Sequence, residues 1–190
     1  MTATSPDVMR SAGRCRSFIA LALGLLLGGL STGARAQPRW ATEADEAALR
    51  RLVPQAARFE LVETGSRHFR AYASAEDSRP IGFAFFTTEL TPRIYAYKGR
   101  ITMLVGLDVA GSLLGVEVVH HYEPFGYFSI DRPDFVEQFN TRQILDPLEV
   151  GVDIDAVSRA TITVEAATRA IRQGARQLAR EFLAEQASNP

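Results

Sequence analysis

Cysteine is almost missing from this chain. The one example, Cys15, lies within the first 36 residues, which read as a removable export segment. Residues 37–190 have no thiol, and this excludes a disulfide framework, a thiolate metal site and an iron–sulfur cluster. Any redox chemistry would need a non-thiol cofactor. Lysine is just as scarce: Lys98 is the only one, so the basic residues are nearly all arginine. No G-x-S-x-G elbow points to a hydrolase, and no glycine fingerprint points to a nicotinamide cofactor. A positive charge excess is also lacking. Residues 1–36 hold four arginines and one aspartate, so the remainder carries 17 basic against 21 acidic residues, a formal −4. A nucleic-acid partner would call for the opposite sign.

Long apolar runs are absent too. The longest, Phe18 to Leu30, falls short of the roughly 20 residues that span a bilayer. It follows Arg10, Arg14 and Arg16 and leads to Ala34-Arg35-Ala36. A charged start, a short apolar run and an A-x-A end describe a secretory signal peptide. The expectation is cleavage after Ala36, a periplasmic protein with no lasting membrane insertion, and a single domain over residues 37–190.

Within that domain, residues 42–53 predict a short helix with Thr42 as N-cap, ended by Pro54. Residues 59–62, 69–73 and 81–87 are short aromatic-rich runs that read as strands. A hairpin is predicted over 101–120. Ile101, Met103, Val105 and Leu107 alternate on one strand, and Leu114, Val116 and Val118 on the next, with Glu117 on the other side. The loop at 121–132 is unusually aromatic, either folded onto the core or used in binding. His120 and His121 are adjacent on a strand, face opposite ways and make poor ligands for one ion, so no metal site is predicted. A short helix is expected at 133–139. From Val164 to about Ala187, apolar residues recur at helical spacing, while Arg169, Arg172, Arg176 and Arg180 form a stripe away from them. Together these elements predict an α+β fold: a twisted, largely antiparallel sheet with helices on one side and a long C-terminal helix packed against it.

Immediately before that helix lies Asp155-Ala-Val-Ser158-Arg159-Ala160-Thr161-Ile-Thr163. The first amides of a helix lack internal partners and carry partial positive charge, which suits a phosphate. Ser158, Thr161 and Thr163 are candidate caps, and an ordinary capped helix start would have the same composition.

This stretch resembles the D-x-x-[ST]-G-A-T-x-T flavinylation motif of FMN-binding domains. Such domains occur in NosR/NirI-type regulators of denitrification and in the G and C subunits of Rnf and Nqr electron-transfer complexes. Further similar segments occur in the same order: Leu52-Val53-Pro54, Ile81-Gly82-Phe83-Ala84-Phe85, Ala96-Tyr97-Lys98-Gly99, Leu104-Val105-Gly106-Leu107-Asp108 and His120-His121-Tyr122-Glu123-Pro124. The paired histidines are most similar to NosR-type members. The resemblance implies FMN joined by a phosphoester to Thr161. Ser158 and Ala160 would lie at the phosphate end, Asp155 and Thr163 in the same turn, and Glu123 at the flavin or shaping its pocket. Arg159 stands where the motif has glycine, either as a phosphate partner or as an exposed side chain.

It also implies an electron carrier rather than an enzyme with its own substrate. Such a carrier would be matured by an FAD- and Mg²⁺-using flavin transferase and would work between membrane or periplasmic redox proteins. The alternative is a regulatory or docking module of a respiratory complex, with flavin absent or used only as a sensor.

Overall fold

The computed structural model describes residues 46–188, with side chains through Phe182. The export segment predicted at 1–36 and the N-cap predicted at Thr42 lie outside the described residues. Helix α1 (Glu46–Leu52) leads into strands β1 (Arg58–Val62), β2 (His68–Tyr72) and β3 (Gly82–Phe86). A single helical turn, α2 (Thr87–Leu90), follows, and then the hairpin β4 (Thr102–Asp108) and β5 (Leu113–His120). Helix α3 (Pro133–Val136) and the long α4 (Thr161–Ser188) complete the chain. Each strand pairs antiparallel with the next, so the sheet runs β1-β2-β3-β4-β5 without a crossover.

The central strand explains the layering. All five residues of β3 are buried. Phe83 and Phe85 face one side and Ala84 and Phe86 the other, so both faces must be covered. On one face Phe83, Phe85, Met103, Val105 and Leu107 meet Val164, Ala167, Ile171, Ala175 and Leu178 of α4. Full burial of Val164, Ile171 and Leu178 contributes on the order of 5–9 kcal/mol. The helix comes close because it carries Gly174 there: a Cβ at that position would lie 2.5 Å from Cε2 of Phe85. On the opposite face Ala84, Phe86 and Leu104 meet Leu49 and Leu52 of α1. The expectation of helices on one side is therefore corrected. The sheet has a helix on each face, because β3 is apolar on both.

A second correction concerns β5. Register shifts interrupt its pairing with β4 at Gly106/Leu107, where Gly106 opposes Gly115 and Leu107 opposes Leu113. The extra residue is Leu114, which the bulge turns to the α1 face. Leu113 takes its place beside Val116 and Val118 on the α4 face. Glu117 points away from Val116 and Val118, as expected, and on that side meets Arg51 of α1 at 2.6 Å.

The arginine stripe of α4 is partly structural. Arg176 donates to the carbonyls of Ile144 and Asp146, each at 2.7 Å, and Arg172 donates to that of Pro147 at 3.1 Å. The stripe thus ties the irregular 144–147 segment to the helix. At the start of β4, the buried Thr87 hydroxyl donates to the Ile101 carbonyl (2.9 Å) and accepts from the Met103 amide (3.0 Å). This fixes where the 91–100 segment rejoins the sheet.

Candidate functional site

Helix α4 begins with a tight turn. The Ala160 amide donates to the Val157 carbonyl at 3.0 Å, closing Val157-Ser158-Arg159-Ala160, and the Ala160 carbonyl accepts from the Val164 amide at 2.9 Å. Arg159 has φ +68° while Ser158 does not enter the left-handed region. This is the pattern of a type II turn, whose third residue is ordinarily glycine. A side chain held in this conformation costs about 1–2 kcal/mol. Ala160, whose carbonyl opens the helical ladder, is therefore the N-cap and is buried. None of the three predicted caps, Ser158, Thr161 and Thr163, occupies that position. Thr161, Ile162 and Thr163 are the first three helical residues, and their amides have no acceptor within the helix.

The Thr163 hydroxyl turns inward and donates to Oε2 of Glu123 at 2.6 Å. Glu123 is only 6% exposed. Its Oε1 accepts from the Lys98 amide at 2.7 Å, and Oε2 accepts from the Tyr97 amide at 3.3 Å. One carboxylate thus binds the 97–98 segment and the first turn of α4 to the loop after β5. Three donors to a buried acid supply the compensation that burial demands.

His121 and Gly126 hold that carboxylate's own backbone in place. The Glu123 amide donates to Nδ1 of His121 at 3.0 Å, so Nδ1 is an acceptor and Nε2 carries the proton. Nε2 then donates to Oδ1 of Asp131 at 2.8 Å. The imidazole lies close against Gly126, where a Cβ would fall 2.2 Å from Cε1.

These contacts frame a cleft of about 370 Å³ lined by Tyr97, Phe125, Arg159, Ala160, Thr161, Ile162 and Thr163. The size lies within the range of about 300–1,000 Å³ typical of ligand pockets. Tyr97, Phe125 and Ile162 are 58%, 42% and 57% exposed. Thr161 is exposed at the start of the helix. Among the lining, the helix amides without internal acceptors and the Arg159 guanidinium suit a phosphate, while Tyr97, Phe125 and Ile162 offer aromatic and aliphatic surface that suits a planar ring system. The residues present fit FMN.

Five of the seven site residues expected from the sequence come together here. Arg159, Ala160, Thr161 and Thr163 line the cleft, and Glu123 supports it from below. Both oxygens of Glu123 are engaged by protein donors, so its role is to shape the cleft. Ser158 is exposed in the turn, outside the cleft lining. Asp155 is exposed, and its amide donates to Oε1 of Gln138 at 2.7 Å, on the side toward α3. The aromatic loop splits between its two readings. Tyr122, Phe125 and Tyr127 stay exposed, whereas Phe128 packs on the core. Sequence reasoning missed Tyr97, Ile162, Asp131 and Gly126 as parts of the site. Tyr97 was discoverable as an aromatic in a polar loop, as Phe125 was in the aromatic loop. The pairing of His121 with Asp131 left no signal.

Residues 96–176 match the FMN-binding domain family. The chain is similar to the G subunit of the ion-translocating oxidoreductase complex of Escherichia coli K12, with 27% identity over 58% of this chain and 57% of that protein. It is similar to the corresponding proteins of Yersinia pestis (29% identity, 56% and 54%) and of Cereibacter sphaeroides ATCC 17029 (34% identity, 46% and 44%). The chain thus spans about half the length of the curated relatives it matches. Among the described residues, no helix is long and apolar enough to cross a membrane.

Proposed function

From the premise that the chain carries an FMN-binding domain related to the G subunits of ion-translocating oxidoreductase complexes, we propose that it is an extracytoplasmic electron carrier with FMN esterified to Thr161. The observation that carries this reading is the position of Thr161. It is the first residue of α4, exposed, and in the cleft beside amides that the helix leaves unbonded. An ester there would seat the phosphate on those amides. FMN supplies one- and two-electron chemistry when bound. The protein binds and orients it: Tyr97, Phe125 and Ile162 offer the apolar surface, Glu123 holds the cleft walls together, and Ala160 leaves room beneath. Asp155 and Ser158 shape the approach to the turn.

Attachment would form a bond from Oγ of Thr161 to the FMN phosphorus. With FAD as donor, the pyrophosphate bond breaks and AMP leaves. A flavin transferase is the maturation partner, and a membrane redox complex is the electron-transfer partner, as for the related G subunits. Export rests on the signal-peptide pattern of residues 1–36.

The test is intact-protein mass spectrometry on chain co-expressed with a flavin transferase and exported, beside Thr161→Ala. The expected mass begins at Gln37 and carries one FMN less one water, an increment missing from the variant. An unmodified mass despite active transferase would refute covalent attachment. A flavin-free protein that still docked on a respiratory complex would favour the regulatory reading instead.

A further inference from the structure

Arg159 is the only charged residue among the seven that line the cleft. It occupies a turn position where the backbone favours glycine. Within the described residues no hydrogen bond or ion pair engages its guanidinium. Nζ of Lys98, outside the lining, lies 5.1 Å from the ring centroid of Tyr97, which lines the cleft. Glu123, which accepts from the lining residue Thr163, is buried and already accepts three protein donors. Among the lining residues the formal charge is thus positive, and the one side chain of Arg159 supplies it.

We infer that Arg159 grips the flavin phosphate, so that without a covalent bond the cleft holds FMN in preference to riboflavin. The inference rests on the FMN reading above. A guanidinium binds phosphate oxygens through charge-assisted, often bidentate hydrogen bonds. Riboflavin has the same ring and no phosphate, so the contribution of Arg159 should be confined to FMN. A glycine in this position would relax the turn and remove the contact. The chain thus accepts backbone strain at the residue that confers the preference.

The experiment uses protein made without a flavin transferase, titrated separately with FMN and with riboflavin and followed by flavin fluorescence. Wild type, Arg159→Gly and Arg159→Gln are compared. Wild type should bind FMN about tenfold or more tightly than riboflavin, and both variants should lose about tenfold in FMN affinity with riboflavin unchanged. Arg159→Gly should melt no lower than wild type, because it relieves the left-handed strain, so unfolding could not explain its loss. Unchanged FMN affinity in both variants, or an equal loss for both flavins, would overturn the role of Arg159 and leave the FMN reading intact. Wild type that bound neither flavin would also overturn it. The FMN reading itself would fall only if the mass increment were absent as well.

Discussion

Substituting Glu123 by glutamine tests the network that shapes the cleft. The carboxylate accepts from two backbone amides, at 2.7 and 3.3 Å, and from the Thr163 hydroxyl at 2.6 Å. Glutamine has one carbonyl oxygen and one NH₂ group. If the oxygen faces Lys98, the NH₂ confronts the Tyr97 amide donor, and only the Thr163 hydroxyl can reverse to accept. The reverse orientation sets the NH₂ against the Lys98 amide at the shorter contact. Either way one partly buried amide loses its acceptor, and the remaining bonds lose the charged partner. Leaving a buried group unsatisfied costs about 1–3 kcal/mol, and a bond to a charged group is worth about 1.5–3 kcal/mol. A net loss of about 2–3 kcal/mol results, which lowers Tm by roughly 4–12 °C for a domain of this size. Calorimetric melting measures it. Thr163→Val should cost about 1–2 kcal/mol alone, and the double variant should fall short of the sum by about 1 kcal/mol or more, because the two residues share a bond. A Glu123→Gln loss under about 0.5 kcal/mol, or strict additivity of the pair, would refute the reasoning.

Gly126→Ala should destabilise by about 2 kcal/mol, since its Cβ would lie 2.2 Å from Cε1 of His121 and the ring could move only by giving up two hydrogen bonds. Melting of Gly126→Ala in a His121→Ala background checks this. If the clash is the cause, the second alanine adds little, and full additivity would count against it. Burial, the larger influence, raises the Glu89 carboxyl above its ordinary value of 4.5, against the pull of Arg67 at 3.1 Å. Folding thus favours the protonated acid. Its stabilising contribution is complete below 4.5 and is lost as pH rises through the raised folded value. Glu89→Gln should flatten that part of the stability–pH curve, and an unaltered slope would show that another group is responsible.

The sequence by itself determined the elements whose signal is local. Helix α4 was legible because its apolar residues recur at helical spacing over many turns. The β4–β5 hairpin was legible because apolar residues alternate along two neighbouring stretches within 101–120. The segment 155–163 could be singled out because hydroxyls and small residues gather before a helix. Only the tertiary structure decided which face Leu114 takes, since one bulge inverts the alternation at that point. It also decided that α1 covers the second face of the sheet. The site depended most on tertiary structure. Glu123 bonds partners 26 and 40 residues away, and no pattern of neighbours encodes such a meeting. The replacement of the motif's glycine by Arg159 marked the position, but its positive φ showed only once the turn was closed by the Ala160 amide. Local spacing writes periodicity into a sequence, whereas long-range hydrogen bonds and backbone handedness are set only when distant segments pack.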